Sequence, residues 1–380
     1  MTTRKKLLYI TRYSLHKSFN LQKKFDGQIN AFKKLGFDVY LIGFDEKHLY
    51  LINDHKKTVI GNTHFSFPSY LHTMFYNDLH KAAIKAINKE KFDYVYWRAA
   101  PIWNSSCKVG KAIRNIGAEL IYEIPTFPPT ESHITGIRNL FDIYSKAFKS
   151  KFHEFVDYYV LIGEDAGGEY MGKPAINISN GIDLSSVAVR TPNHENSIHI
   201  LALASMCYWH GYDRLIKSLA QYNGDHDVVI HMVGGNDGGC LNEWKELTNE
   251  LGLNNSVIFH GQMSGKALEE MFDLCDIGVN SLAMYKKGFV VTMELKAREY
   301  MARGLPFICA VEDPALSDSQ DTMWLKIAND DSIPDMNQIV GFALEMKNDI
   351  SHVTSLRKLA ENKLTWEIQY KKVFDVVGRK

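Results

Sequence analysis

The chain has 380 residues, of which 45% are hydrophobic and 23% are charged. This length and composition predict a globular protein of two domains, each able to bury its own core. Lysine and arginine together number 44, as do aspartate and glutamate, so no net charge favours nucleic acid as a partner. The five cysteines contain no CxxC pair, which excludes the common zinc motifs and favours a reducing, cytoplasmic environment.

The first half of the chain alternates apolar runs with amphipathic ones. KLLYITRY at 6–13 predicts a strand, and the run at 21–36 has the apolar period of a helix that ends at Gly36. FDVYLIGF at 37–44 predicts the next strand. Further strand-like runs are FDYVYWR, AELIYEIP, DYYVLIG and PAINISNG. Strands that alternate with helices predict a parallel sheet covered by helices on both faces.

The polar segment RTPNHENS at 190–197 interrupts this alternation and predicts a linker. The alternation then restarts with IHILALAS, continues through GKALEEMFDLCDIGV as a helix, and closes with PFICAV. We therefore predict an α/β protein of two Rossmann-like domains whose parallel sheets face each other across a cleft. The expected division is 1–185 for the first domain, 186–360 for the second, and 361–380 for a C-terminal helix that packs back towards the first.

Two nucleotide-binding motifs are absent from the sequence. No G-x-G-x-x-G follows the first strand, so a dehydrogenase is not expected, and no G-x-x-x-x-G-K-[ST] indicates a P-loop. The glycine-rich run GGNDGG, which begins at Gly234, follows a strand. It fits either a phosphate-binding loop or a tight turn between a strand and a helix.

The segment ELKAREYMARGLPFI, which begins at Glu294, carries the sharpest signal. Lys296 lies in the first turn of a predicted helix, where the positive end of the helix dipole repels a cation. A bound anion, such as the phosphates of a nucleotide, would account for this placement. The alternative is a solvated helix face on which Lys296, Glu299 and Arg303 form ordinary surface ion pairs.

Five segments of the second half, in order and in register, resemble the retaining GT-B glycosyltransferases of family 4. They are NISNGID, WHGYDRLIKSL, HMVGG, VIFHGQMSGKALEEMFDLCDIGVNSL and EYMARGLPFI, which together span 177–311 approximately. In the first half, YEIPTFPP at 122–129 is similar to relatives that build bacterial surface polysaccharides.

The resemblance implies the GT-B fold and transfer of a hexose from a nucleotide diphosphate sugar, most often a UDP-sugar. It implies that Lys296 neutralises the diphosphate, that Glu299 holds the ribose hydroxyls, and that the backbone at Gln262 and Met263 holds the base. Neither a metal nor another cofactor is implied. The full set predicted at the donor site is His210, Gly211, Gly234, Gln262, Met263, Glu294, Leu295, Lys296 and Glu299. Glu294 is an alternative contact to the sugar, since it lies outside the family register.

The sequence departs from the family pattern at its cations and at one carboxylate. His210 stands where relatives carry lysine, and Ser205 lies near the place of an arginine. A neutral His210 would weaken neutralisation of the phosphates, whereas a protonated His210 beside a diphosphate would partly restore it. Val291 stands where the first glutamate of the E-x7-E pair is expected. We expect an active enzyme in which Lys296 has taken over the cationic role. The alternatives are an inactive GT-B partner or glycan-binding subunit, and a GT-B sugar epimerase.

The resemblance leaves the catalytic contribution of the first domain open. Lys296 and Glu123 are the candidate catalytic residues, Glu123 because it follows a strand at the edge where ligands of α/β sheets bind. Thr126, His16 and Lys17 occupy similar positions and are further candidates, although a structural role in a loop is an alternative for each.

The acceptor is expected to be a glycan or a lipid-linked saccharide, bound by the first domain. The run at 136–156 is rich in lysine and phenylalanine, and its aromatic residues fall on one helical face. Such a helix binds an anionic membrane surface or, alternatively, packs on the core while its lysines extend into water. Membrane contact would place the protein in the cytoplasm, at the inner face of the membrane.

Overall fold

The structure is a computed structural model that describes residues 4–16, 21–64, 72–129, 137–236, 238–316 and 323–378, without the side chains of 72–73 and 137–144. The chain divides into two compact units. Unit 1 comprises Met1–Ser179 together with Trp366–Lys380, and unit 2 comprises Asn180–Thr365. The boundary therefore falls before Asn180, whereas the sequence placed it after residue 185.

The helices and strands follow one another in the alternation that the sequence indicated. Up to residue 178 they are β1 (Lys6–Ser14), α1 (Gln22–Lys34), β2 (Asp38–Phe44), β3 (His48–Ile52), β4 (Lys57–Asn62), α2 (His72–Lys89), β5 (Tyr94–Arg98), α3 (Asn104–Asn115), β6 (Glu119–Phe127), α4 (Ile137–His153), β7 (Tyr158–Gly163), β8 (Glu169–Tyr170) and β9 (Lys173–Ile178). Unit 2 contains β10 (Ile198–Leu203), α5 (Tyr212–Ala220), β11 (Val228–Val233), α6 (Leu241–Glu250), β12 (Val257–Gly261), α7 (Gly265–Leu274), β13 (Ile277–Val279), α8 (Leu295–Arg303), β14 (Phe307–Cys309), β15 (Trp324–Lys326), α9 (Met336–Asn348) and α10 (Ser351–Lys363). The last helix, α11 (Trp366–Val377), belongs to unit 1.

Unit 1 is built on a nine-stranded sheet in the order β4-β3-β2-β1-β5-β6-β7-β9-β8. The six strands from β2 to β9 in this order are parallel, and β3, β4 and β8 pair antiparallel at the two edges. The central strands are apolar without interruption because helices cover both faces of a parallel sheet. The antiparallel pair β3 and β4 was not predicted.

An aromatic cluster joins α1 and α11 to the sheet of unit 1. The ring of Phe32, fully buried in α1, stacks on Tyr370 of α11 with 4.2 Å between ring centroids. The same ring meets Tyr9 of β1 at 5.7 Å and Tyr96 of β5 at 5.1 Å. The C-terminal helix is thus part of the core of unit 1.

Unit 2 has a six-stranded, fully parallel sheet in the order β12-β11-β10-β13-β14-β15. One face packs against α5, α6 and α9 through a core that includes Ile200, Trp244 and Phe342. The other face packs against α7, α8 and α10 through a core that includes Phe272 and Tyr300. This layered arrangement exposes the loops at the carboxyl ends of the strands, which is where ligands bind in open α/β sheets.

Two details of unit 2 differ from the sequence prediction. The run GKALEEMFDLCDIGV is not one helix, because α7 ends at Leu274 and β13 begins at Ile277. The polar segment 190–197 lies inside unit 2, where the buried Arg190 donates from its backbone N–H to Arg303 and from its side chain to the carbonyl of Asp276. The segment is therefore not a linker between the two units, since its first residue is hydrogen-bonded within unit 2.

The five cysteines are free and buried. Among the residues that the structure describes, no helix has both the length and the apolarity needed to cross a membrane.

We expect Phe32→Ala to lower the free energy of unfolding of unit 1 by about 3–5 kcal/mol, because the cavity left in the aromatic cluster cannot collapse fully. Chemical denaturation, followed by circular dichroism, measures this loss. Lys371→Ala is the control, since Lys371 lies on the exposed face of α11 with its side chain 67% exposed; it should change stability by less than about 0.5 kcal/mol. Similar losses for both variants would contradict the packing described.

Candidate functional site

Each sheet has one point at which the order of its strands reverses direction. In unit 1 the chain runs from β1 to β2 on one side and returns to β5 on the other side of β1. In unit 2 it runs from β10 to β12 on one side and returns to β13 on the other. Ligands of open α/β sheets bind at the carboxyl ends of the strands that flank such a point. The loops after β10 and β13, and those after β1 and β5, are therefore the candidate sites.

The loops that follow β10 and β13 are joined by backbone hydrogen bonds. The N–H of Leu282 donates to the carbonyl of His210 at 2.9 Å, and that of Ala283 donates to Trp209 at 3.2 Å. Gly211 adopts a left-handed conformation with φ of 62°, and a Cβ there would lie 2.7 Å from the Cβ of Ala283. Glycine is thus required at 211 for both conformation and space. The structure thus gives a conformational reason for Gly211, and its predicted contact with the sugar donor stays a prediction.

The glycine run after β11 brings a third loop against the first two. Gly234 has φ of 143°, and a Cβ there would overlap the carbonyl oxygen of Ala204, which follows β10. A Cβ on Gly235 would lie 2.6 Å from the side-chain nitrogen of Gln262. Gln262 is exposed, and Met263 beside it is half-buried. The predicted phosphate loop and the predicted base-binding segment are therefore neighbours.

Lys296, in the first turn of α8, is fixed over the same loops. The helix begins at Leu295, with Glu294 at its N-cap position. The ammonium group of Lys296 donates to the hydroxyl of Tyr212 at 3.0 Å and to Nδ1 of His210 at 3.1 Å, and it lies 3.5 Å from Glu294 Oε2. Its side chain is only 11% exposed. Burial lowers the pKa of Lys296, while the charge of Glu294 opposes that change. The sequence predicted this lysine at a helix N-terminus, and it predicted neither hydrogen-bond partner.

The two carboxylate oxygens of Glu294 differ in their hydrogen bonding. Its Oε2 accepts hydrogen bonds from the backbone N–H of Ser281 at 3.3 Å and from the hydroxyl of Ser281 at 2.9 Å. Its Oε1 is buried, and no residue of the described chain donates to it. A buried acceptor without a donor is costly. Glu294 is therefore suited to accept a hydrogen bond from a ligand.

His210 acts here as a neutral hydrogen-bond acceptor. Its burial, together with the positive charge of Lys296, lowers the pKa of His210 to about 2. Nδ1 of His210 lies 3.1 Å from the ammonium nitrogen of Lys296 and 2.8 Å from the hydroxyl oxygen of Ser281. Of the two states that the sequence left open, the lowered pKa favours the neutral imidazole, and a contact of His210 with the donor stays a prediction. The imidazole positions Lys296.

Sequence reasoning missed two other members of this cluster. Ser281 ends the segment VNS that carries part of the family resemblance, and its position directly after a strand could have identified it. Lys287 places its ammonium group 4.4 Å from the centre of the Trp209 ring. Its charge contributes to the lowered pKa of His210, so Lys287 adds positive potential to the loop cluster.

Glu299 forms the ion pair that the alternative interpretation of α8 expected. Its Oε1 accepts from Arg303 at 3.3 Å, and Arg303 also pairs with Glu269. The side chain of Glu299 is 20% exposed and so remains accessible. A contact with ribose stays a prediction. Lys296, in contrast, pairs with Glu294 inside the loop cluster, which is not an ordinary surface pair.

In unit 1, Glu123 is completely buried within β6. It accepts hydrogen bonds from Arg98, from the hydroxyl of Tyr96 at 2.8 Å and from Gln28 at 3.1 Å, and Lys24 lies 4.0 Å away. Burial raises the pKa of Glu123, but Arg98 and Lys24 outweigh that effect and hold it below its ordinary value. An ionised carboxylate with this many partners is well suited to positioning Arg98. A catalytic role for Glu123 stays a prediction.

The other candidates of the first domain are not brought together with Glu123. His16 and Thr126 are exposed, and Lys17 lies outside the described residues. In α4, Phe152 is buried in the core of unit 1, and Phe148 and Phe155 pack against that core. The described part of this run thus has the core-facing arrangement. The side chains of the aromatic residues at 141 and 144 lie outside the described part.

Residues 197–338 match the family model for glycosyl transferases group 1. This part of the chain is similar to group 1 glycosyltransferases. The match confirms the prediction of a transferase enzyme, and it covers the loop cluster around Lys296. None of the curated proteins matches the chain in sequence.

Solved structures extend the likeness to both units. A sucrose-phosphate synthase from Thermosynechococcus elongatus superposes with a TM-score of 0.66 at 14% identity, covering 99% of each chain. HepE from Anabaena, in complex with UDP-glucose, gives 0.62 at 14% identity over 98% of this chain and 99% of that one. WaaG, a glycosyltransferase involved in lipopolysaccharide biosynthesis, gives 0.61 at 14% identity over 98% and 100%. These likenesses confirm the predicted GT-B fold with two Rossmann-like domains.

We expect the protein to lose stability as the pH falls below 6.5, and His210→Gln to lose less than the natural chain. The pKa of His210 is lowered on folding from 6.5 to about 2, so the unfolded state binds the proton first. The contribution of His210 to the free energy of unfolding is complete above pH 6.5 and is lost as the pH falls towards 2. One such group contributes about 1.4 kcal/mol per pH unit in this window.

Denaturation at pH 7.5, 6.0 and 5.0 measures the effect. His194→Gln is the matched control because His194 is exposed on the surface of unit 2. If the two variants depend equally on pH, His210 is not held neutral by its surroundings.

Proposed function

We propose that the protein transfers a hexose from a UDP-sugar to a glycan or lipid-linked saccharide acceptor, with retention of anomeric configuration, in the assembly of a bacterial surface polysaccharide. The observation that carries this proposal is the fixed ammonium group of Lys296 at the N-terminus of α8. Support for UDP as the carrier comes from the likeness to HepE, which was solved with UDP-glucose. The likeness to WaaG supports the polysaccharide setting.

The electrostatics of α8 suit a diphosphate. The first-turn N–H groups of a helix lack partners within the helix and point outward, and the helix dipole adds positive potential there. Lys296 adds a desolvated ammonium group, which Tyr212, His210 and Glu294 hold in place. A preorganised cation costs little reorganisation when negative charge develops on a leaving group. The proposal requires no metal, because these groups supply the neutralising charge.

Glu294 supplies the contact with the transferred sugar in this proposal. Its Oε1 needs a donor, and a sugar hydroxyl is a donor of suitable size and polarity. Oε2 stays bound to Ser281, so the carboxylate is oriented before the donor arrives. Glu294 thereby takes the place of the first family glutamate, although it lies at a different position in the sequence.

The chemistry follows from these placements. The bond between the anomeric carbon and the diphosphate oxygen breaks, and the electrons remain on UDP. The acceptor hydroxyl attacks the anomeric carbon from the face that UDP leaves, and its proton passes to the departing diphosphate oxygen. Lys296 and the first turn of α8 stabilise the charge that develops on the departing phosphate. The reaction therefore depends on leaving-group stabilisation more than on a protein nucleophile. A cytoplasmic location and contact with a membrane stay predictions.

Lys296→Met is expected to weaken UDP binding by about 10- to 100-fold, because it removes the desolvated charge while it keeps the length of the side chain. Isothermal titration of the full chain with UDP measures this change. Lys266→Met is the control, since that lysine lies on α7 with its side chain 89% exposed. A natural protein that does not bind UDP, or a variant that binds it equally well, would overturn the site assignment.

Glu294→Gln is expected to retain UDP affinity within about threefold and to lower the turnover of UDP-glucose at least tenfold, because the amide is a weaker acceptor for a sugar hydroxyl. Release of UDP from UDP-glucose gives the rate, and nuclear magnetic resonance of the glycosidic product gives its anomeric configuration. Binding of UDP without any transfer to saccharide acceptors would favour the alternative of a glycan-binding GT-B partner. An inverted product would refute retention.

A further inference from the structure

Unit 1 contains a cavity of 170 Å³ at the point where its strand order reverses. Two arginines line it, Arg12 from β1 and Arg98 from the carboxyl end of β5. Its aromatic walls are Phe25, Tyr76 and Trp97. The cavity occupies the position in unit 1 that the loop cluster around Lys296 occupies in unit 2, which is the carboxyl edge beside the first strand.

The charge of this cavity is positive. No acidic residue is among its described lining residues. The carboxylate of Glu123, which does not line the cavity, accepts a hydrogen bond from Arg98. Burial lowers the pKa of Arg98, but Glu123 outweighs that effect, so the guanidinium remains a cation. Arg12 is the second basic residue that lines the cavity.

Arg98 has N–H groups that form no hydrogen bond within the described chain. Its side chain is 14% exposed, and within the described chain its one hydrogen bond is to Glu123. A guanidinium has five N–H groups in a planar fork that matches a carboxylate or a phosphate. The ring of Phe25 lies 5.7 Å from the guanidinium carbon and helps to hold the plane. A largely buried guanidinium with unused donors is complementary to an oxyanion.

Trp97 gives a second, independent indication of a ligand. It lines the cavity and is 2% exposed, and its indole N–H is buried without an acceptor in the described residues. Buried indole N–H groups usually have a partner. The aromatic walls also suit a saccharide, because the C–H faces of a sugar ring pack on aromatic rings while its polar groups reach donors at the rim.

We propose that this cavity binds an oxyanion, a carboxylate or a phosphate, carried by the saccharide acceptor. The acceptor class is thus an acidic sugar or a sugar phosphate. The assignment to an acceptor rests on the proposed transferase function. The oxyanion site itself rests only on Arg12, Arg98 and Trp97.

The test compares three probes on the full-length protein in the presence of saturating UDP: methyl β-D-glucuronide, glucose 6-phosphate and methyl β-D-glucoside. Binding is followed by calorimetry. At least one anionic probe is expected to bind at least tenfold tighter than the neutral glucoside. The probe that binds tighter identifies the anion as a carboxylate or a phosphate. Equal affinity for all three probes would overturn the proposal.

Two substitutions locate the site. Removing Arg98 completely would leave Glu123 buried without its main partner and endanger folding, so Arg98→Lys is used together with Arg12→Gln, which leaves the Glu123 pair intact. Each is expected to weaken binding of the anionic probe at least fivefold and to leave UDP affinity within twofold. Lys33→Gln is the control, because this lysine lies on the surface of unit 1.

The two proposals fail in different ways. Unchanged affinity of both arginine variants for the anionic probe would overturn the oxyanion site. Failure of the natural protein to bind UDP, with discrimination between charged and neutral saccharides intact, would overturn the transferase proposal and leave the oxyanion site standing.

Discussion

A buried ammonium group at the positive end of a helix is the constraint on which the loop cluster of unit 2 depends. Lys296 would ordinarily avoid the first turn of α8, and its burial adds a desolvation cost. Three neighbours offset these costs, Glu294 with its charge and Tyr212 and His210 with hydrogen bonds. Each neighbour is in turn fixed by a strand end or a turn. The charge, the turn at Gly211 and the serine after β13 therefore form one interdependent set.

The two units use the same arrangement of a cation supported by a carboxylate. In unit 2 the ammonium group of Lys296 lies beside Glu294, and in unit 1 the guanidinium of Arg98 lies beside Glu123. The carboxylate keeps each cation oriented. Arg98 in addition has N–H donors that form no hydrogen bond within the described chain. The carboxylates differ in burial, since Glu294 keeps 14% of its side chain exposed and Glu123 none. This difference suits Glu294 to ligand contact and Glu123 to support.

The sequence predicted features that local patterns determine. The strand and helix alternation, the helix after Glu294 and the glycine after His210 follow from periodicity, dipole and turn chemistry, which act over a few residues. It failed at β13, because this strand has only three residues and is separated from α7 by only two, so its apolar side chains continue the helical pattern. It also failed to identify Ser281 and Arg12 as site residues. Their neighbours are far away in the sequence, and only the strand order brings those neighbours together.

The same distinction explains the outcome for His210 and Glu123. A histidine in place of a lysine looks from the sequence like a weakened cation, but burial next to Lys296 makes it neutral. Glu123 lies near the end of a strand, and its four partners all come from α1 and β5. The sequence alone does not show these partners, and a catalytic role for Glu123 stays a prediction. Burial and long-range pairing set both roles, and neither can be derived from a single sequence without its topology.

The composition of unit 1 from two separate stretches has a consequence for biosynthesis. Its sheet is translated first, yet α11, which covers Phe32 and Tyr96, leaves the ribosome only after the whole of unit 2. The aromatic surface of the nascent sheet therefore stays uncovered while some 190 further residues are synthesised. Synthesis proceeds at roughly 5–20 residues per second. Unit 2 is one continuous stretch and faces no such delay. Vectorial synthesis thus exposes the sheet that carries the arginine-lined cavity to chaperones and to misassembly for about ten seconds or longer.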